Sequence, residues 1–460
     1  MFMVVRLVLF LFFHYRWILR FVRFSMEGIL YRIPYEKGYL EFRLPETMRA
    51  DVVTSRKVEP LPDLGKAVKE TLAQPIRSQP LRSLAKPGQR VCIVFTDMTR
   101  ASPDHVLVPA LLAEIEAAGV IREDVTLLCG TGMHRPSTME EKAAKLGVEV
   151  LNRYRVVDHD PRATKDLVDL GKTESGIPLS VNRWAYEAEL LLATGIVEPH
   201  QYAGYSGGGK TVAIGAGGEP LITFTHGPQM VDHPGTRLGS TEDNPFRRAV
   251  DEAARRAGLR FVINVVQDDE KRPVAVFAGE TDATFEKCVE TARRVYEVPI
   301  LRRYDVAVAG VGHPKDVNLY QASRAVSYLF FAPTCVVKDR GVFILPAAMP
   351  EGAGEGPGEQ HFLETMRSAK DMTSLLAELR RTGYPPGAQR AFIMAKVLEK
   401  NHVIVVGSKA PEVVKQAKMI AVPDMDEALR KAGEIMGRRD LDVLIVPHAL
   451  LTLPIVNLKG

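Results

Sequence analysis

Val125-Thr126-Leu127-Leu128-Cys129-Gly130-Thr131-Gly132 is a short apolar run broken only by Thr126, and it ends in a Gly-Thr-Gly turn. A strand buried on both faces reads this way, without polar alternation, and hands its carboxyl end to a loop. Upstream, residues 89–96 form a second such run, bounded by Gly88 and Asp97. Between the two, residues 106–118 carry apolar side chains at helical spacing. Strand, helix and strand at these lengths make a βαβ unit and imply a parallel sheet. The pattern continues outward. Residues 33–58 alternate like a strand and 64–72 read as a helix. Further on come a helix at 139–146, strands at 148–151 and 189–196, a helix at 247–257, a strand at 261–267 and a helix at 283–296.

After Pro299 the alternation begins again, with a strand at 304–310, a helix at 320–329 and strands at 342–345 and 403–407. The expected fold is therefore α/β, in two domains that are each a mainly parallel sheet covered by helices, with the site in the cleft between them. At 460 residues the chain exceeds what one core usually supports. The first domain is expected over 26–298 and the second over 299–439. The apolar run 441–446, within a closing segment 440–460, would return to complete the first sheet. Residues 1–25 are apolar but interrupted by Arg6, His14, Arg16, Arg20 and Arg23, too broken to span a bilayer. They read as a disordered extension or a start-site artefact, with Met26 the working initiator.

Sixty basic and fifty-six acidic residues leave a net charge of +4 without a long basic run, so the composition speaks against nucleic acid as partner and for a small molecule. Cys92, Cys129, Cys288 and Cys335 stand singly, with no CxxC pair, as buried reduced thiols of a cytoplasmic protein do.

Four loops put reactive residues just after strands, where open α/β sheets bind ligands. The first is Asp97-Met98-Thr99-Arg100, whose guanidinium suits a carboxylate or phosphate; the plain alternative is a helix cap. In the second, Gly130 to Pro136, His134 projects from a glycine frame, although a lone loop histidine is often surface filler. The fourth is Pro314-Lys315-Asp316-Val317-Asn318-Leu319-Tyr320-Gln321-Ala322.

The third loop is the richest. His200 and Gln201 lead into Gly204-Tyr205-Ser206-Gly207-Gly208-Gly209-Lys210-Thr211, which formally satisfies the Walker A pattern of a P-loop nucleotide hydrolase. That pattern needs a helix after the lysine, and Gly215, Gly217, Gly218 and Pro220 oppose one. The other reading takes the lysine as an amine to be acylated or to form an imine. His200 lies ten residues before it and His226 sixteen after, for proton handling and metal binding.

Taken together and in order, these loops and His226 resemble the nickel-dependent lactate racemases, and the likeness runs from about residue 33 to the C-terminus. It implies an isomerase, a racemase or epimerase of a small 2-hydroxy acid. The cofactor would be a nickel-pincer nucleotide, pyridinium-3-thioamide-5-thiocarboxylic acid mononucleotide with nickel. Lys210 would anchor it covalently, and His226 would ligate nickel. His134 and His200 would be the acid/base pair. Arg100, Tyr320, Gln321 and Arg324 would line the substrate pocket. Asp97, Thr99, Ser206, Gly207 and Gly208 would contact the nucleotide, Thr99 and Ser206 as donors to its phosphate. Cofactor-synthesis and nickel-insertion enzymes would be partners, and a membrane would not. The family carries a lysine where this chain has Arg324, so the resemblance implies a substrate bulkier than lactate or with different oxygens. A P-loop hydrolase and a non-catalytic relative that binds nucleotide or metal are the alternatives. Closure of the two domains about Pro299 is a further expectation.

Overall fold

The structure is a computed structural model describing residues 29–385 and 387–457; the expected extension 1–25 lies outside the described residues. Its cores are two six-stranded sheets. In the first, the strands lie in the order Pro273–Gly279, Leu259–Gln267, Leu190–Ile196, Val91–Thr96, Val125–Gly130 and Arg155–Asp158. Only the edge strand Pro273–Gly279 is antiparallel to its neighbour. The second sheet is parallel throughout, ordered Ile420–Val422, His402–Val406, Val337–Pro346, Tyr304–Ala309, Asp442–Val446 and Arg49–Val52. Every residue of Val91–Thr96 and of Tyr304–Ala309 is buried, which is why neither segment alternates in sequence.

Sheet order explains where a ligand can enter. In the first sheet the chain runs outward in both directions from the pair Val91–Thr96 and Leu190–Ile196. The loops leaving these two carboxyl ends diverge and open a crevice. The second sheet has the same switch between Tyr304–Ala309 and Asp442–Val446.

Two expectations are corrected. The strand-like stretch 148–151 is part of the helix Val148–Arg153. Gly147, at φ 83°, ends the preceding helix, and Val148 is left exposed, so its apolar character forms no sheet face. The ends of the chain also change domain. Asp442–Val446 sits inside the second sheet and pairs with Arg49–Val52, so residues 440–460 do not complete the first. The hairpin Leu30–Tyr35 with Gly38–Arg43 buries Ile33 and Phe42 against Val306, Val342 and Ile404, so the start of the chain belongs to the second domain as well. Neither placement has a local signal, because the partners lie more than 250 residues apart.

Pro299 lies in a strand, Glu297–Ile300, that pairs in parallel with Leu453–Val456. Two chain segments therefore run side by side there. One apolar cluster also continues from Tyr202, Leu238 and Phe246 to Leu319, Val326 and Phe331 across the domain boundary.

Candidate active site

A cavity of about 510 Å³ opens where the two crevices face each other. It is lined by residues of all four loops, among them Asp97, Thr99, Arg100, His134, His200, Ser206, Gly207, Lys210, His226, Tyr320, Gln321 and Arg324.

The Asp97 loop is held from below by a buried polar network. Lys145, on the helix Met139–Leu146, pairs with the fully buried Asp104 at 2.7 Å. It also donates to Thr96 Oγ1 and to the carbonyls of Arg100 and Ser102, at 3.0–3.2 Å. Asp104 in turn accepts from Thr96, Ser102 and Thr194, which ties the ends of both central strands to one point. Sequence reading missed this lysine, since a basic residue on an amphipathic helix ordinarily faces water.

Above the network, Asp97 Oδ2 lies 2.6 Å from His134 Nδ1, and Oδ1 accepts from the Thr99 hydroxyl at 2.6 Å. Burial raises the Asp97 pKa, but the hydrogen bonds from His134 and Thr99 and the charge of Arg100 outweigh it, and the net shift is downward. An ionised Asp97 fixes the proton on Nδ1 of His134 and leaves Nε2 as the free, basic nitrogen.

His200 is bound in the opposite sense. Its Nδ1 accepts from the backbone N–H groups of Tyr202, at 3.3 Å, and Ala203, at 3.1 Å, so the proton of the neutral ring belongs on Nε2. Burial, with the nearby charges of Lys210 and Arg100, holds its pKa well below the usual histidine value.

Lys210 opens a helix of one turn, Lys210–Ala213. Burial first, and then the positive charges of Arg100 and Arg247, lower its pKa to about 7. The helix ends at once, as the following glycines predict, which removes the long phosphate-facing helix that the P-loop reading needs. His226 caps the helix Glu219–Thr225, and its Nδ1 donates to the Ile222 carbonyl at 2.9 Å. This leaves Nε2 with its lone pair, the arrangement of a ligating histidine. Burial drives its pKa down to about 4, so the ring is neutral at physiological pH.

Several expected cofactor contacts stand otherwise. The Ser206 hydroxyl donates to the Ile196 carbonyl at 2.6 Å and accepts from Glu198 N–H at 3.0 Å, so its proton is spent inside the protein. The Thr99 proton goes to Asp97, and Asp97 itself serves His134. Gly208 is not on the cavity wall: its N–H donates to Asn264 Oδ1, and a Cβ there would meet the Phe285 ring at 3.0 Å. Gly207 does line the cavity.

From the second domain, the helix Leu319–Phe330 starts at Asn318, whose side chain caps Gln321 N–H, and its first turns bring Tyr320, Gln321 and Arg324 to the cavity. The Tyr320 hydroxyl donates to the Gly387 carbonyl at 3.0 Å, holding the ring as a wall. Gln201 and Lys315, within the third and fourth loops, and Gln389 and Arg390, outside all four, also line the cavity and had been given no role from sequence.

A two-domain α/β protein with paired imidazoles and a near-neutral lysine in its cleft is the class that fold and site define. Residues 35–239 match the lactate racemase N-terminal domain and residues 302–453 the lactate racemase C-terminal domain. The lactate racemase of Thermoanaerobacterium thermosaccharolyticum is 31% identical over 421 residues, 91% of this chain and 97% of that protein. That of Lactiplantibacillus plantarum is 30% identical over 422 residues, 91% of this chain and 98% of that protein. The chain belongs to the lactate racemase family, a family of isomerases. The solved lactate racemase apoprotein of T. thermosaccharolyticum superposes with a TM-score of 0.83 at 30% identity, over 93% of this chain and 100% of that one. A Thermotoga maritima protein, 20% identical over 87% of this chain and 100% of that one, shares the fold at a TM-score of 0.64.

Proposed function

We propose that this chain inverts the hydroxyl-bearing carbon of a 2-hydroxy acid, as racemase or epimerase, on a lysine-tethered nickel-pincer nucleotide. The observation that carries the reading is the company kept by Lys210: a half-buried amine with a pKa of about 7, sharing one cavity with three histidines.

The residues fit such a group. Among the described residues no cluster of three or more His, Cys, Asp or Glu side chains could hold a metal ion. His226 by itself is one ligand, so a metal here needs its other donors from an organic partner. A near-neutral amine at Lys210 suits a covalent bond to that partner, and the glycine-framed backbone at Gly130, Gly132, Gly207 and Gly215 admits it closely. Bound there, the cofactor would accept the α-hydrogen as hydride and return it.

The protein's own work is positioning and proton handling. The α-hydrogen of a 2-hydroxy acid is scarcely acidic, so taking the hydroxyl proton while hydride departs avoids a poorly stabilised carbanion. His134 Nε2, left with a free lone pair by the Asp97–Nδ1 contact, takes the hydroxyl proton of one enantiomer. His200 is its counterpart for the other, a role that needs the ring's proton moved off Nε2, since Nδ1 already accepts from the Tyr202 and Ala203 N–H groups. Arg100 and Arg324 orient the carboxylate, and Tyr320 and Gln321 close the pocket. The substrate is a small molecule. No described helix is long and apolar enough to cross a membrane.

Mass spectrometry of the protein co-produced with the cofactor-synthesis and nickel-insertion enzymes tests this. The Lys210 peptide should carry the nucleotide adduct with one nickel per chain, and His226→Ala should lose the nickel. An unmodified Lys210 under those conditions overturns the assignment and favours a non-catalytic relative.

A further inference from the structure

The second-domain wall of the cavity is richer in positive charge than one carboxylate requires. Lys315, Arg324 and Arg390 all line it, and the acidic residue on the whole cavity wall, Asp97, is engaged with His134. Arg390 is only 6% exposed, yet its Nε has no hydrogen-bond partner. Its Nη1 donates to Ser327 Oγ at 2.9 Å, and its guanidinium stacks over the Tyr320 ring at 5.5 Å. The Ser327 hydroxyl also lies 3.0 Å from Oε1 of Gln201 and 3.1 Å from the Arg324 carbonyl, and in this arrangement the Gln201 Nε2 has no partner. Gln201 is 4% exposed, and this Nε2 is a second buried donor without a partner. Among the described residues the guanidinium of Arg324, one turn before Tyr328 on the same helix, meets the Tyr328 hydroxyl at 3.4 Å and lies 5.8 Å from the centre of its ring.

Orphaned buried donors are costly, and more so when charged, unless a ligand completes them. Here two belong to one knot built on Ser327 and lie beside an arginine already suited to the substrate carboxylate. The knot also adjoins the proton-transfer residues of the cavity, since Gln201 follows His200 directly.

Resting on the function proposed above, we infer that the substrate carries a second carboxylate. The Arg390 guanidinium and the Gln201 amide receive it while Arg100 and Arg324 hold the carboxylate next to the reacting carbon. The chain is then an isomerase of 2-hydroxy dicarboxylic acids, and Arg390 determines that specificity.

The test compares enantiopure 2-hydroxysuccinate with lactate on the loaded enzyme, by kcat/KM from chiral chromatography and by Kd from calorimetry. The dicarboxylate should be preferred at least tenfold in both measures. Arg390→Gln should bring that ratio close to one, and Arg390→Lys should restore part of it. Circular dichroism and thermal melting of each variant establish that it folds. Equal or better use of lactate, or an Arg390→Gln variant that weakens both acids alike, overturns the inference. The nucleotide's phosphate is the other oxyanion that could sit here, so nicotinic acid mononucleotide is titrated into the cofactor-free protein. Binding lost in Arg390→Gln, with the dicarboxylate preference unchanged, would give the knot to the cofactor and also overturn the inference. Inversion of lactate without preference refutes this inference alone, whereas inversion of neither acid by nickel-loaded enzyme counts against the proposed function.

Discussion

Lys210 can be examined without any cofactor, through the pH dependence of its own acylation. An ordinary lysine, with a pKa of 10.5, is neutral in about one molecule in 3,000 at pH 7. With the pKa lowered to about 7, half of the Lys210 side chains are neutral there, a gain of about 1,500-fold in nucleophilic amine. The main cause is burial, which favours the uncharged form, and the positive charge of Arg100 adds to it. Competitive labelling with acetic anhydride from pH 5 to 11, read peptide by peptide in the mass spectrometer, should show Lys210 gaining reactivity through a midpoint near 7. Surface lysines in the same digest should titrate near 10. Arg100→Gln removes the second cause and leaves the first, so the midpoint should move upward without reaching the surface value. A Lys210 that titrates with the surface lysines refutes the argument that this amine is prepared for a covalent bond.

Asp97→Asn should leave His134 in place but release its tautomer, and racemisation should fall by about 10²–10³-fold. Because enantiomers have equal free energies, kcat/KM must fall equally in both directions; polarimetry started from each enantiomer checks this. Lys145→Met strands the buried Asp104 carboxylate and should cost about 3–5 kcal/mol in urea denaturation; a loss below about 1 kcal/mol would show that the network does not support the Asp97 loop. Gly207, at φ 83°, would place a Cβ 2.5 Å from Val197 Cγ2. Gly207→Ala should therefore destabilise the fold by about 2–4 kcal/mol, measurable as a lowered melting temperature.

The central strands and the loops they carry were readable because their sequences obey local rules. Val91–Thr96 and Val125–Gly130 are continuous apolar runs, and Asp97 and Gly130 mark their carboxyl ends. Local rules fail where a partner is remote. Arg49–Val52 pairs with Asp442–Val446, and nothing in either segment names the other, so the chain's two ends were placed in the wrong domain. The same limit applies to the site. His134, His200, Lys210 and His226 stand in patterned loops, but Arg390 lies inside a helix, Gln389–Lys400, and becomes part of the cavity only through Ser327 and Tyr320. Hydroxyl roles were misread for a related reason. Ser206 and Thr99 sit beside the cavity, and only the folded chain shows their protons committed to Ile196 and Asp97.

Isotope retention tests the proposed chemistry most directly. Enantiopure 2-hydroxysuccinate and lactate, each with deuterium on the hydroxyl-bearing carbon, are incubated with the nickel-loaded enzyme in ordinary water and analysed by chiral chromatography with mass detection. The account predicts that at least one becomes racemic with its deuterium kept in both enantiomers, since hydride leaves and returns without meeting solvent. Inversion with the deuterium washed out, or no inversion of either acid, contradicts it.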